Sequence, residues 1–171
     1  MVTVGTNDRV AETGGRLGHL YRRHAPEAAR LAYLLTGDHA LAEDLVHEAF
    51  VRMIGRFADL RSPEAFEWYL RRTVVNLANS HFRHAKVERA YLDREGRNLR
   101  PLADPDVDAQ QDMWRNLLRL PERQRAALVL RFYEDLTEVQ IAEVLGCPLG
   151  TVKSLVSRGL GRLRGELATE R

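Results

Sequence analysis

Apolar residues recur along most of the chain at the three- and four-residue intervals of amphipathic helices. In the first part, this spacing predicts a helical region over residues 16–35, in which Pro26 should begin a new helix. A second helix is predicted over residues 41–54, where apolar residues come in pairs every four positions. Ser62 can cap a third helix, which should run over about residues 63–85.

This pattern fades after residue 86, where charged residues, Gly and Pro accumulate as in a linker. Helical spacing returns at 113–120, a further helix starts at Pro121, and residues 126–132 are apolar enough for a core helix. No strand-like alternation of useful length is present, so the sequence predicts an all-α protein with two small helical domains. The predicted division is a disordered N-terminal tail at 1–14, a first domain at 15–86, a flexible linker at 87–108 and a second domain at 109–171.

The second domain contains the layout of a helix-turn-helix. Thr137 and Gln140 fit a capping box that begins one helix, and Gly146 can adopt the positive φ of a turn. In such a motif the second helix lies in the DNA major groove, with its N-terminal residues toward the base edges. The inner faces would be formed by Ile141, Ala142 and Leu145 in the first helix, and by Val152 with Leu155 or Val156 in the second.

Basic and polar residues share the outer face of that second helix. Arg and Lys can donate hydrogen bonds to guanine or to phosphate, and Ser can donate or accept. A plain helical hairpin with a solvated basic face is the alternative, but the capping box, the turn glycine and both inner faces fall in register and favour DNA binding. The predicted DNA-binding residues are Lys153, Ser154, Ser157, Arg158 and Arg162, with Arg162 and Arg164 as phosphate contacts.

The amino-acid composition indicates a folded chain with little net charge. Its 171 residues are 44% hydrophobic and its formal net charge is +2, so a nucleic-acid role has to come from the charge distribution. Residues 71–100 carry eight Lys and Arg against three Asp and Glu, whereas residues 101–112 carry four Asp and no basic residue. Cys147 is the single cysteine, expected as a buried inert thiol rather than a redox sensor.

Several classes of protein are disfavoured by the sequence. No apolar run exceeds five residues, so we expect no membrane insertion and a cytoplasmic location. The pairs His81 with His84 and Asp44 with His47 have helical spacing but lack the further ligands that a metal site needs. Because there is also no nucleophile with a neighbouring base and no glycine-rich phosphate loop, we expect no metal, no cofactor and no enzymatic activity.

Three segments resemble one family of bacterial proteins. Residues 42–54, AEDLVHEAFVRMI, resemble the second conserved-region helix of sigma factors of the extracytoplasmic-function group, approximately AEDLVQEvFlrlw, with His47 in place of Gln. Residues 69–83, YLRRTVVNLANSHFR, are similar to the next helix, with Ser80 where Asp is common and His84 where a second Arg is common. Residues 120–136, LPERQRAALVLRFYEDL, with the helix-turn-helix, are similar to the C-terminal domain of the group.

The resemblance implies a two-domain sigma factor that binds core RNA polymerase, recognises promoter DNA and allows the duplex to open. On the second helix, an acidic edge and a broad apolar stripe would serve both the core of the domain and the clamp helices of the largest polymerase subunit. The predicted polymerase-binding residues are Asp44, Leu45, Glu48, Phe50 and Met53.

On the third helix, amides and cations would contact the unpaired strand of the melted promoter element. The predicted outward residues are Arg72, Asn76, Asn79, Arg83 and Lys86, and the predicted inward residues are Phe66, Leu70, Val74, Leu77 and His81. Trp68 would be either a stacking ring or a half-buried core residue.

Two other functions stay open at this point. A stand-alone helix-turn-helix regulator would bind duplex DNA without polymerase, and a helical interaction protein with solvated basic faces would show no salt-dependent DNA affinity. The sequence also leaves open whether an anti-sigma factor is a further partner.

Overall fold

A computed structural model describes residues 5–54, 62–94 and 110–169, and the regular structure in these ranges is entirely helical. The predicted all-α fold is therefore confirmed. In chain order the elements are α1 (Gly5–Thr36), α2 (His39–Ile54), α3 (Pro63–Arg94), α4 (Gln110–Arg119), α5 (Glu122–Leu128) continued by a π-helical turn (Val129–Tyr133), α6 (Glu138–Leu145) and α7 (Leu149–Thr169).

The first three helices pack on one another around a shared apolar core. Asp38 caps α2, since its Oδ1 accepts the Leu41 N–H at 3.0 Å. Ser62 caps α3 as predicted, because its Oγ accepts the Ala65 N–H at 3.1 Å. Side chains from all three helices are buried in this core, among them Leu31, Leu35, Val46, Met53, Phe66 and Val74.

The helix boundaries correct the sequence prediction in three places. Pro26 lies inside α1 and does not begin a new helix, because apolar residues before and after it share one face that packs on α2 and α3. That packing outweighs the cost of proline within a helix, about 3 kcal/mol. Helix α1 begins at Gly5, within the segment 1–14 predicted to be disordered, and α3 continues to Arg94, within the predicted linker. Residues 1–4 and 95–108 of these predicted segments lie outside the described ranges.

The second group of helices is built around the contact of α5 with α7. Gly159 allows a close approach there, since a Cβ at this position would lie 2.9 Å from Leu128 Cδ1. The predicted core helix at 126–132 is buried only up to Leu130, and Phe132 is 63% exposed. The π-helical turn explains the difference, because its wider turn shifts the last residues away from the face that the α-helical period predicts.

The two groups of helices also pack against each other. Helix α3 contacts α5 and α6. The ring of Tyr33 in α1 also stacks on the rings of His39 and of Trp114 in α4, with centroid distances of 3.8 Å and 4.8 Å. Arg71 of α3 forms an ion pair with Glu134, which follows the π-helical turn. Sequence periodicity predicted two domains but not these contacts between them.

Within the described ranges, no single helix is long and apolar enough to cross a membrane. Only Glu138–Leu145 and Leu149–Gly165, taken together, satisfy the length and composition of a span, and the two helices are bent by 102°.

Replacing Gly37 by Ala should destabilise the fold. Gly37 ends α1 with a φ of +73°, and a Cβ there would lie 2.8 Å from Leu118 Cδ1. We expect Gly37→Ala to lower the free energy of unfolding by about 1–2 kcal/mol, since alanine disfavours this backbone conformation and Leu118 has to move. Urea denaturation followed by circular dichroism measures the change.

The matched control is Gly161→Ala in α7, where a Cβ would meet no atom within 4 Å. This substitution should raise the free energy of unfolding by about 0.5–1 kcal/mol, because alanine is the better helix former. Equal effects of the two substitutions would contradict the role of Gly37.

Candidate nucleic-acid interface

The helix-turn-helix predicted from sequence is present in α6 and α7. Thr137 Oγ1 accepts the Gln140 N–H at 3.3 Å, and the Thr137 N–H donates to Gln140 Oε1 at 2.9 Å, so both halves of the capping box form. Gly146 ends α6 in the left-handed conformation, with a φ of 59°. Ile141 and Val152 are fully buried between the two helices and the rest of this group, which fixes how α7 projects from the body.

The outer face of α7 carries the residues predicted to contact duplex DNA. Lys153, Ser157, Arg158 and Arg162 are exposed. Ser154 is half-buried, and its Oγ donates to the Gly150 carbonyl at 3.0 Å, so only its acceptor capacity remains for a partner. The five predicted residues therefore spread over the solvent-facing half of α7, about 180° around the helix axis.

Glycines on this same side of α7 were not singled out in the sequence analysis. A Cβ at Gly150, Gly161 or Gly165 would meet no atom within 4 Å, so packing does not require glycine at these positions. Within a helix, glycine is less stable than alanine by about 0.5–1 kcal/mol, and Gly161 and Gly165 are interior positions of α7. The absence of side chains lets the helix backbone approach a bound surface closely.

The outward side of α3 forms a second polar face. Arg72, Asn76, Arg83 and Lys86 are exposed, and Asn79 is half-buried beside them. Of the predicted inward residues, Phe66, Leu70, Val74 and Leu77 are buried. Trp68 is half-buried and packs against the core, as the second of its two predicted roles requires.

His81 is exposed, so the prediction that it faces inward is wrong. Ala78 is the last fully buried residue of α3, and one turn later only Phe82, on the side toward the second group of helices, still packs against the core. His81 instead makes an edge contact with the ring of Phe82, at 5.9 Å between ring centroids.

A further side of α3, missed by the sequence analysis, faces the second group of helices. Arg71, Val75, Ala78 and Phe82 recur at intervals of four, three and four residues, which places them on one side of the helix. Val75 and Ala78 are buried. The sequence signal for this side was the occurrence of adjacent apolar residues at 74–75 and 77–78. Such pairs make the apolar face of α3 wider than one packing surface requires.

Of the five predicted polymerase contacts on α2, two are exposed and three are buried. Asp44 and Glu48 are exposed on its outer side, as predicted. Leu45, Phe50 and Met53 are only 5%, 4% and 0% exposed, so the prediction that they reach a partner is wrong. They are buried because α1 and α3 cover this part of the apolar stripe, with Phe50 in contact with the rings of Tyr21 and Phe66.

The exposed apolar residues of α2 are Val51 and Ile54, at 52% and 49%. Cys147 is half-buried beside the turn rather than fully enclosed. In the part of the chain that the structure describes, no group of three His, Cys, Asp or Glu residues is arranged to hold a metal ion.

Two family descriptions match the chain, Sigma-70 region 2 over residues 20–87 and Sigma-70, region 4 over residues 110–163. The ECF RNA polymerase sigma factor SigE of Mycolicibacterium smegmatis is 36% identical over 156 residues, which cover 87% of this chain and 60% of that protein. The RNA polymerase sigma-E factor of Streptomyces avermitilis is 34% identical over 143 residues, covering 81% of this chain and 77% of that protein.

A solved structure agrees with these relatives. The sigma factor RpoE of Bartonella quintana, in complex with the anti-sigma factor NepR, superposes with a TM-score of 0.70 at 25% identity, over 90% of this chain and 98% of that one. The matches and the helix-turn-helix define a transcription initiation factor built from Sigma-70 regions 2 and 4. The chain belongs to the extracytoplasmic-function RNA polymerase sigma factors. Such sigma factors are non-enzymatic and initiate transcription with RNA polymerase, so this function is favoured over stand-alone regulation.

Proposed function

We propose that this chain binds core RNA polymerase through α2, an unpaired promoter strand through the outer side of α3, and the duplex of the distal promoter element through α7. The observation that carries the proposal is the presence of two separate polar faces, one on each group of helices. A stand-alone regulator needs only the helix-turn-helix face, whereas an initiation factor that also opens DNA uses both. The proposed site of action is the cytoplasm, and we propose no catalytic activity.

The proposed contact with polymerase is supported by exposed acidic side chains of α2, because most of its apolar stripe is buried within the protein. Asp44 and Glu48 are exposed, and Val51 and Ile54 supply apolar area on the same helix. Exposed acids steer association with a basic partner, and exposed apolar side chains add area to be buried on binding.

Reversing the acidic edge should weaken polymerase binding. We expect Asp44→Arg combined with Glu48→Arg to lower affinity for core polymerase by about tenfold or more, because like charges then face each other. The helical circular-dichroism signal should be unchanged, since both side chains are exposed.

The control is the same number of charge reversals elsewhere, Glu88→Arg combined with Glu143→Arg, both exposed and outside α2. Unchanged polymerase affinity in the α2 variant, or equal loss in the control, would contradict the assignment.

For the melted element, the side-chain chemistry of α3 supports contact with single-stranded DNA. Asn76 and Asn79 offer both donors and acceptors to base edges that only an unpaired strand exposes. Arg72 and Arg83, on the same side, supply cations for phosphates.

Removing either amide should affect promoter opening more than initial binding. We expect Asn76→Ala and Asn79→Ala to reduce permanganate reactivity of the promoter in the open complex, while closed-complex binding changes less. His81→Ala is the control, because His81 is exposed and lies about 140° around α3 from Asn76 and about 160° from Asn79. Equal loss in both steps would mean that the amides contact only the backbone.

For the distal element, the order of residues along α7 supports separate roles. Arg158 shares the outer side with Lys153 and Ser157, near the N-terminal half of the helix. Arg162 lies one turn farther on, where a helix docked by its N-terminal half leaves the major groove. We therefore assign Arg158 to a base and Arg162 to a phosphate.

Two alanine variants should separate these roles. Arg158→Ala should cost about 1–3 kcal/mol and relax base preference at one position, whereas Arg162→Ala should weaken all sequences alike and lower the salt slope by about one unit. Binding of the polymerase holoenzyme to a library randomised at the distal element, at two salt concentrations, measures both quantities. Identical base preferences in wild type and Arg158→Ala would refute base recognition by Arg158.

An anti-sigma factor is a further proposed partner. The support is the Bartonella quintana structure, in which a sigma factor of similar fold is bound to one.

A further inference from the structure

One ion pair joins the two groups of helices beside the polar face of α3. Arg71 Nε donates to Glu134 Oε2, and the side chains are 23% and 6% exposed. The π-helical turn sets the position of this carboxylate, since the Glu134 N–H donates to the Val129 carbonyl at 3.1 Å, five residues earlier. A largely buried acid of the second group therefore neutralises an arginine of the first.

A second cation lies in the same interface. The guanidinium of Arg125 is 5.2 Å from the centroid of the Phe82 ring of α3, and its Nη1 donates to the Leu118 carbonyl at 2.7 Å. Arg125 is 5% exposed, and its Nε has no hydrogen-bond partner among the described residues. Burial lowers the pKa of Arg125 below its usual value, which the charge of Glu122 partly offsets.

These polar contacts lower the free-energy cost of separating the two groups of helices from the packed arrangement, called the closed arrangement below. Separating the two groups would rehydrate Glu134 and Arg125, so the lost contacts are offset by recovered solvation. An interface made only of apolar side chains would gain no favourable solvation free energy when it opens, because apolar surface is then exposed to water.

Arg71 borders the side of α3 that is proposed to take single-stranded DNA. Arg71 lies about 80° around α3 from Asn79, which is half-buried, and about 100° from Arg72. A guanidinium binds carboxylate and phosphate through the same pattern of donors and acceptors. The group that holds Arg71 in the closed arrangement is thus chemically equivalent to the phosphate of a bound strand.

We propose that Arg71 is a further nucleic-acid contact of α3, and that Glu134 occupies it in place of a phosphate when the two groups of helices are closed. Closure and strand binding then compete for one guanidinium. The apparent affinity for single-stranded DNA is therefore proportional to the open fraction of the protein, and closure lowers it. The contact with DNA rests on the proposed function of α3, whereas the role of the ion pair in closure does not.

The test compares Glu134→Gln with Asp135→Asn in the full chain. Both substitutions remove one negative charge from adjacent residues, but Asp135 is exposed, and Asn also accepts its φ of 51°. Small-angle X-ray scattering gives the radius of gyration, and fluorescence anisotropy gives the affinity for a single-stranded oligothymidine. Glu134→Gln should increase the radius of gyration and raise affinity about threefold to tenfold, and Asp135→Asn should change neither.

Two more variants identify the residue that is released. Arg71→Gln should open the protein as Glu134→Gln does, but without the gain in affinity, because the released contact is missing. The exchanged pair, Arg71→Glu with Glu134→Arg, should restore the compact radius of gyration.

The outcomes separate the parts of the proposal. An unchanged radius of gyration in Glu134→Gln would overturn the role of the ion pair in closure. Equal gains of affinity in Arg71→Gln and Glu134→Gln would overturn Arg71 as a DNA contact. If Arg72→Ala abolishes binding while Glu134→Gln leaves affinity unchanged, competition is overturned but the face on α3 stands. No binding by any variant would contradict both the competition and the proposed function of α3.

Discussion

Packing of α3 on two adjacent sides is the constraint on which the rest of the structure depends. One side contributes Phe66 and Val74 to the core with α1 and α2, and the next side, with Val75 and Ala78, faces the second group of helices. The remaining part of the helix surface is left to solvent, and there Arg72, Asn76 and Arg83 form the polar face, beside exposed acids such as Glu67 and Glu88. The core with α1 and α2 fixes the orientation of the polar face, and the second group of helices borders this face in the closed arrangement.

Local signals predicted much of the fold because the structure satisfies them locally. Ser62 caps α3, Thr137 and Gln140 form the capping box of α6, and Gly146 takes the left-handed turn. These features involve residues at most four positions apart, so no distant contact is needed to form them. Pro26 was misjudged for the opposite reason, since packing of α1 against distant helices decides whether proline is tolerated.

Periodicity identified the apolar face of each helix but not what covers it. The exposed polar residues of α3 and α7 were predicted well, because a polar side chain on the side opposite a core is left to solvent. Leu45, Phe50 and Met53 were assigned to a partner, yet α1 and α3 cover them. The contact of Arg71 with Glu134 joins residues 63 positions apart, and the π-helical turn that positions Glu134 leaves no clear periodic signal.

The separation of packing and contact residues on α7 has a consequence for how such proteins diverge. Val152 and Gly159 hold the helix against its neighbours, while Lys153, Ser157 and Arg158 are exposed and stand apart from the buried core. Surface replacements away from caps and cores usually change stability by less than about 0.5 kcal/mol. Under the proposed role of α7, gene duplicates acquire new promoter preferences through a few substitutions on one side of this helix, while selection on folding acts on the other side.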